Sequence, residues 1–347
     1  MHSSIPSVDL SPFFVDEGVV VGKSVTEEQQ ACAQAIDDAC RQHGFIHVNG
    51  FGLTQELYQR AFQVSKEFFD MPVETKVTEC RRLHPISNMG YSPYQTESTN
   101  PSRPPELKEA FNVRFPPVHQ NDYRGCPDGY EMMVEELQNV LRKAAHRYAL
   151  ACSLALDLPI DFFTETLVTM DLCTIRFLHC PPCDIEVTGV STDKSVRVGE
   201  HTDFGAFTFL LLGDQGAEGL QIKPVEGGLV GGAAGGEASG WLDIEVPSNG
   251  AIVNTGALMA RWTNDEWRAT AHRVIVPSEL EAGRHRYSIA FFVDPDATAL
   301  VSVHDKFVTD IKPCRYEPIT SLAFLQMKLE EVRIASHTDD DDSSLPS

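Results

Sequence analysis

Beyond residue 170 the hydrophobic pattern changes period, and that change limits the folds open to the chain. Short β-rich runs stand at 173–178, 206–212, 219–223, 241–244, 250–255, 270–276 and 286–293, separated by Gly, Pro and Asn. Many short strands at this spacing predict an antiparallel sandwich or barrel, of which the double-sheet jelly roll is one solution. The Gly/Ala-rich stretch 226–240 lacks the bulk to join a core and reads as a loop between strands.

The first half reads as helix. Thr26-Glu27-Glu28-Gln29 is a capping-box start, and Cys32, Ile36, Ala39 and Cys40 follow at helical spacing. Gly44 stops this helix, and Phe45-Ile46-His47-Val48 reads as a short strand. A second helix from Thr54 carries Leu57, Ala61, Phe62, Ser65, Phe68 and Phe69 on one face until Pro72 ends it. The segment 80–105, rich in Pro, Ser, Asn and Thr, predicts a long loop. Further helices are expected over 129–157 and 319–334, and the acidic tail 336–347, with Asp339 to Asp342, reads as disordered. The expectation is one β-rich (α+β) structural unit. A helical and strand layer over 1–125 packs on a core over 126–335 that includes the C-terminal helix.

Apolar residues make up 42% of the 347, enough for a sizeable core. The 28 basic and 50 acidic residues leave a formal net charge of −22, which repels phosphate backbones and anionic lipids. Nucleic-acid and membrane-surface partners are therefore not expected. With no export signal and no apolar run of about 18 residues, a cytoplasmic location is expected. A monomer is the default for such a domain. Nine cysteines form no dense framework and read as reduced thiols. Cys180-Pro181-Pro182-Cys183 has CxxC spacing, but no second pair completes a zinc site.

The chemistry concentrates in His201-Thr202-Asp203. On a strand, residues i and i+2 share a face and can grip one ion. His272, in Ala271-His272-Arg273-Val274, is the candidate third ligand, returned by the strands between. Two imidazoles and a carboxylate leave positions open on the metal and suit iron(II). A lone HxD is weak evidence. Arg286-Tyr287-Ser288 adds a guanidinium beside a hydroxyl, a receptor for a carboxylate, unless this is an edge strand with Arg286 in solvent.

Gly199-Glu200-His201-Thr202-Asp203-Phe204-Gly205 resembles the isopenicillin N synthase-like family of iron(II)/2-oxoglutarate dioxygenases. So do Gly219 to Lys223, Val253-Asn254-Thr255-Gly256, Trp262-Thr263-Asn264, Thr270 to Val274 and Arg286 to Phe292, and the similarity runs over 5–334 in the family's order. The resemblance implies a distorted double-stranded β-helix, or jelly roll, with helices packed outside. It implies Fe(II) on His201, Asp203 and His272, and 2-oxoglutarate held through its distal carboxylate by Arg286 and Ser288. The reaction it implies consumes O2 and 2-oxoglutarate and releases succinate and carbon dioxide. A small molecule, of secondary-metabolite type, would be hydroxylated, desaturated or ring-closed. Tyr91 and Tyr94, in the loop Asn88 to Tyr94, and Phe204, Phe207 and Phe292 would border the substrate pocket. Arg176 would meet either a substrate carboxylate or a structural ion partner, and the helix around Leu325 to Leu329 would close over the site.

The chain departs from the family in three places. The interval from His272 to Arg286 is longer than usual, leaving Arg284 as a competing clamp. Arg176-Phe177-Leu178 stands where many members carry Asn-Tyr-Tyr, whose tyrosine touches the cosubstrate. Asn49-Gly50-Phe51-Gly52 replaces an early Asn-His-Gly. Two other readings remain at this stage: an iron-dependent oxidase of the same fold that does not consume 2-oxoglutarate, and a catalytically silent jelly-roll binding protein.

Overall fold

The computed structural model describes residues 5–14, 24–80, 89–98, 103–183, 196–213, 218–223, 240–245 and 250–338. Asn88, nearly all of the Gly/Ala-rich stretch and the run Asp339 to Asp342 lie outside the described residues.

Strand β1 (Ser7–Asp9) pairs in parallel with β2 (Phe45–Asn49) across helix α1 (Glu27–Gln42). The predicted capping box is present. Thr26 Oγ1 accepts from the Gln29 amide at 3.2 Å, and the Gln29 side chain accepts from the Thr26 amide at 3.1 Å. Gly44 turns the chain from α1 into β2 at φ +67°, where a Cβ would stand 2.5 Å from the Arg268 carbonyl oxygen. Helix α2 (Gln55–Phe69) starts at the expected Thr54 cap. Pro72 then caps a further helix, α3 (Val73–Glu79), which the sequence had not suggested; proline tolerates a helix start as readily as it ends one.

The predicted loop 80–105 contains β3 (Gly90–Ser92), paired with β4 (Glu109–Arg114). Strand β4 escaped the sequence reading because Glu-Ala-Phe-Asn-Val-Arg is charged at both ends, yet all six residues are buried. Glu109 accepts from Lys76 Nζ at 2.8 Å and from the Tyr91 hydroxyl, and bonds His179 Nδ1 at 2.7 Å. Arg114 donates to the carbonyls of Asp171 and Leu172. These partners come from remote segments, so no local pattern announces the strand.

After α4 (Tyr130–Ala155) come β5 (Thr174–Cys180), β6 (Val196–His201), β7 (Phe207–Leu212), β8 (Leu220–Ile222), β9 (Leu242–Asp243) and β10 (Ala251–Thr255). Then follow α5 (Ala257–Trp262), β11 (His272–Ile275), α6 (Glu279–Ala282), β12 (Arg286–Val293) and α7 (Ser321–Thr338), the last helix running past its expected end. Eight strands form one sheet in the order β1-β2-β10-β7-β12-β5-β4-β3, and β6-β11-β8-β9 form a second. The architecture is the expected jelly roll with helices outside.

The large sheet has two faces of different character. Phe111, Phe177, Phe209, Ile289 and Phe291 join the main hydrophobic core with Phe68 of α2 and Leu137, Leu141 and Tyr148 of α4. The alternate residues form the other face, which includes the cross-strand rows Cys180–Arg286, Leu178–Ser288–Leu212 and Thr174–Phe292–Thr208. Thr208 from this face bonds Asp203, so this face carries the site.

Candidate active site

His201 ends β6 and His272 begins β11, and the two stand directly opposite in the antiparallel register. Their rings come to 4.3 Å between centroids. Asp203 does not follow by strand alternation, as the sequence suggested, because the chain has already left β6 and entered a turn. That turn is clamped onto the start of α5 and the end of β12. The Ala257 amide donates to Asp203 O at 2.8 Å, Gly256 to Ala206 O at 2.9 Å, and Ala206 to Val293 O at 3.0 Å. Gly256 makes the approach feasible, since a Cβ there would meet the Gly205 carbonyl oxygen at 2.1 Å. Asp203 Oδ1 therefore lies 3.7 Å from His201 Nε2 and 3.8 Å from His272 Nε2, and the three donor atoms fall within 4.8 Å of one another.

Neighbouring groups orient all three donors. His201 Nδ1 lies 2.8 Å from Gly199 O, and His272 Nδ1 lies 3.2 Å from Thr270 O. Carbonyls only accept, so each Nδ1 carries the proton and each Nε2 presents its lone pair to the cluster. Burial, reinforced by the adjacent His272, brings the His201 pKa down to about 4, so the ring is neutral at pH 7. Burial alone would raise the Asp203 carboxyl. The two imidazoles and hydrogen bonds from Asn254 and Thr208 outweigh it and hold Asp203 below the usual carboxylate value. Two imidazoles and one carboxylate on one side of an ion suit iron(II).

Asn254 is a functional residue that the sequence reading quoted without a role. Its Nδ2 donates to Asp203 Oδ2 at 2.6 Å, leaving Oδ1 to the histidines. The signal was an amide in the otherwise apolar, fully buried run Ala251 to Val253, because a buried amide requires a partner. The Asn254→Ala variant should bind iron(II) about 10- to 100-fold more weakly, the usual range for loss of an outer-shell partner. Calorimetric titration with Mn(II) as a redox-inert probe checks this, and unchanged affinity counts against the role.

Arg286 Nη1 donates to Ser288 Oγ at 3.3 Å, while Nε and Nη2 are buried without a partner. A guanidinium 3% exposed that pairs with no carboxylate among the described residues fits an anionic ligand. The rival Arg284 is 47% exposed at its side chain and pairs with Glu281 at 2.8 Å, which removes it as the clamp. Directly across from Arg286 is Cys180, whose side chain hydrogen-bonds the guanidinium. Cys180 thus stands opposite Arg286, while Leu178, the last residue of the Arg176-Phe177-Leu178 run, stands opposite Ser288.

Comparison with known families matches residues 5–134 to the non-haem dioxygenase in morphine synthesis N-terminal region and residues 171–295 to the 2OG-Fe(II) oxygenase superfamily. The chain belongs to the 2OG-Fe(II) oxygenases. A 2-oxoglutarate-Fe(II) type oxidoreductase, hxnY, from Emericella nidulans is 30% identical over 305 residues, covering 83% of this chain and 78% of its own. The homoarginine-6-hydroxylase 2-ODD-233 of Oryza sativa subsp. japonica is 26% identical, covering 86% of this chain and 88% of its own. The structure of a full-length Neurospora crassa protein in complex with alpha-KG superposes with a TM-score of 0.78 at 27% identity, covering 94% of this chain and 96% of that one. This oxygenase accordingly uses iron(II), 2-oxoglutarate and O2.

The oxygenase's other expected pocket residues divide. Phe292 is on the site face, in the row of Thr208, and Phe204 directly follows Asp203. Arg176 shares that face, but its Nη2 is ion-paired with Glu97, the structural alternative, while its Nε stays buried and unpartnered. Tyr94 lies within electrostatic range of Cys180, Cys183 and Arg197, toward the Arg286 end. Tyr91 is a correction. It lies in the row of Phe111 and Phe177 on the core face, its ring 5.9 Å from Phe68 and its hydroxyl given to Glu109. Phe207 likewise packs on Tyr148 at 5.0 Å in the core. Strand parity sends both away from the site.

Asp294, just past β12, is buried near the site. Burial, with the Asp203 charge adding and Arg114 opposing, raises its pKa to about 7. The ordinary value is about 3.9, so the folded state binds this proton more tightly than the unfolded state. The associated stability is complete below about pH 4 and is lost as pH rises through 7. Asp294→Asn should therefore gain in melting temperature over the parent between pH 5 and pH 8 in metal-free protein. An equal difference at both pH values would rule out a cost of ionising Asp294.

Proposed function

We propose that His201, Asp203 and His272 hold the iron, that Arg286 and Ser288 hold the far carboxylate of 2-oxoglutarate, and that the enzyme oxidises a small molecule of secondary-metabolite type. The observation that carries this reading is Arg286, a buried guanidinium without an acidic partner among the described residues, on the sheet face that supports Asp203. When bound, iron and 2-oxoglutarate supply oxidation by O2, with loss of carbon dioxide and formation of succinate.

The chain's own residues provide the rest. The Nδ1 bonds to Gly199 and Thr270 lock both imidazoles, so no rotamer search precedes metal capture. Asn254 and Thr208 fix Asp203 with one oxygen toward the histidines. Arg286 fixes the cosubstrate's direction by charge, and the Ser288 hydroxyl supplies a further donor. Phe204 and Phe292 would offer apolar wall, and the Arg176–Glu97 pair would offer both donors and acceptors to a polar substrate. The similar Neurospora crassa protein has been solved with alpha-KG and thymine, and other relatives include a validamycin A dioxygenase, which supports a small polar substrate. The charge of −22 supports an enzyme that acts apart from nucleic acid and membrane surfaces, and a cytoplasmic monomer is part of the same proposal. Among the described residues no helix is long and apolar enough to cross a membrane.

The deciding experiment follows O2 uptake and succinate release with Fe(II), with and without 2-oxoglutarate, over a panel of small polar metabolites. Succinate should form in proportion to O2 consumed and rise with a true substrate. Oxygen uptake independent of 2-oxoglutarate would favour the oxidase, and failure to bind metal would favour the silent binding protein.

A further inference from the structure

Arg197 is 1% exposed in β6, and no carboxylate among the described residues pairs with it. Its Nη2 donates to the carbonyls of Glu281 at 2.7 Å and Arg284 at 2.9 Å, while its Nε is buried and unpartnered. It stands close enough to Arg286 for the two charges to oppose each other. Three cations, Arg286, Arg197 and Lys108, lie within electrostatic range of the Cys180 thiol. Lys108 is neutralised by Glu106 and by Glu97 at 3.7 Å, whereas among the described residues no carboxylate pairs with either guanidinium, and Arg197 is tied to the carbonyl of Arg284, two residues before Arg286. Like charges buried together without an anion are strongly unfavourable, so the arrangement calls for a ligand that brings negative charge.

The position suits a long ligand anchored at the metal cluster. Arg197 lies four residues before His201 on the same strand, roughly 13 Å along the backbone.

Resting on the clamp assignment above, we propose that Arg197 is a second cationic arm of the cosubstrate site, which with Arg286 selects a dicarboxylate over a 2-oxo acid with an uncharged tail. The two carbonyl bonds hold the guanidinium from behind and leave its other edge for the ligand. Arg197 then acts as a specificity residue, not merely as a staple between β6 and the α6–β12 connection.

The test titrates Mn(II)-loaded enzyme by calorimetry with 2-oxoglutarate and with 2-oxopentanoate, which shares the chelating end and lacks the distal charge. In Arg197→Gln, affinity for 2-oxoglutarate should fall about 10- to 100-fold, the range for a lost charge-assisted hydrogen bond. Affinity for 2-oxopentanoate should move less than about twofold, so the preference itself collapses. A purely structural role would weaken both acids alike or lower only the melting temperature, and a preference kept within about twofold overturns the proposal. Arg286→Gln is the control. If it too keeps the preference, the clamp assignment fails; if it loses the preference while Arg197→Gln keeps it, only the second arm fails. Where Arg197→Gln does not fold, Arg197→Lys carries the test. An ammonium can keep the carbonyl bonds but not the forked second edge, so the preference should drop at least about threefold, and an unchanged preference overturns the proposal.

Discussion

The Asp203→Ala variant is expected to lose more than about 100-fold in iron(II) affinity and to form no measurable succinate. Loss of an outer-shell partner such as Asn254 already costs about 10- to 100-fold, and Asp203 is the only carboxylate of the cluster among the described residues. Its removal takes away the negative charge that draws the cation to the two imidazoles. Asn254 and Thr208 also lose the acceptor they now serve. Metal titration and oxygen-electrode traces read the two effects separately, and circular dichroism confirms that the sheet persists. Wild-type metal affinity in this variant would dismantle the site as described.

The second large effect concerns Arg286. Arg286→Leu should raise the KM for 2-oxoglutarate by about 10- to 150-fold, the equivalent of roughly 1.5–3 kcal/mol for hydrogen bonds to a charged group. Metal affinity should stay near the parent's, because Arg286 and the three donors occupy different elements. The loss should shrink when 2-oxoglutarate is saturating, since the arginine binds an end of the molecule that does not react. An unchanged KM would place the distal carboxylate elsewhere. Folding is not expected to fail, because leucine relieves a buried charge that pairs with no carboxylate among the described residues and is opposed by Arg197.

These two experiments probe residues that were visible in the sequence, and the reason is local chemistry. His201, Asp203, His272, Arg286 and Ser288 stood out because imidazole, carboxylate and guanidinium are expensive in a β-rich core unless they bind something. Their local context matched one family. Helix caps such as Thr26 and turn residues such as Gly44 were readable for the same reason, since their causes lie within a few residues of the chain.

Other features depended on contacts between remote segments. Strand β4 exists because Lys76, Tyr91 and His179 bond the buried Glu109 carboxylate, and none of these is near it in sequence. Tyr91 and Phe207 left the pocket because register fixed which face of the sheet they occupy, and a shift of one residue would have reversed the answer. Asp203 reached the histidines through a turn pinned by Gly256 and Ala257 rather than through strand geometry. The sequence by itself determined which groups carry the chemistry and which elements local patterning forms. Tertiary structure alone decided Asn254 as the support of Asp203, Cys180 as the neighbour of Arg286 and Arg197 as a buried charge held by the Glu281 and Arg284 carbonyls, because each is defined by a partner that only folding brings within reach.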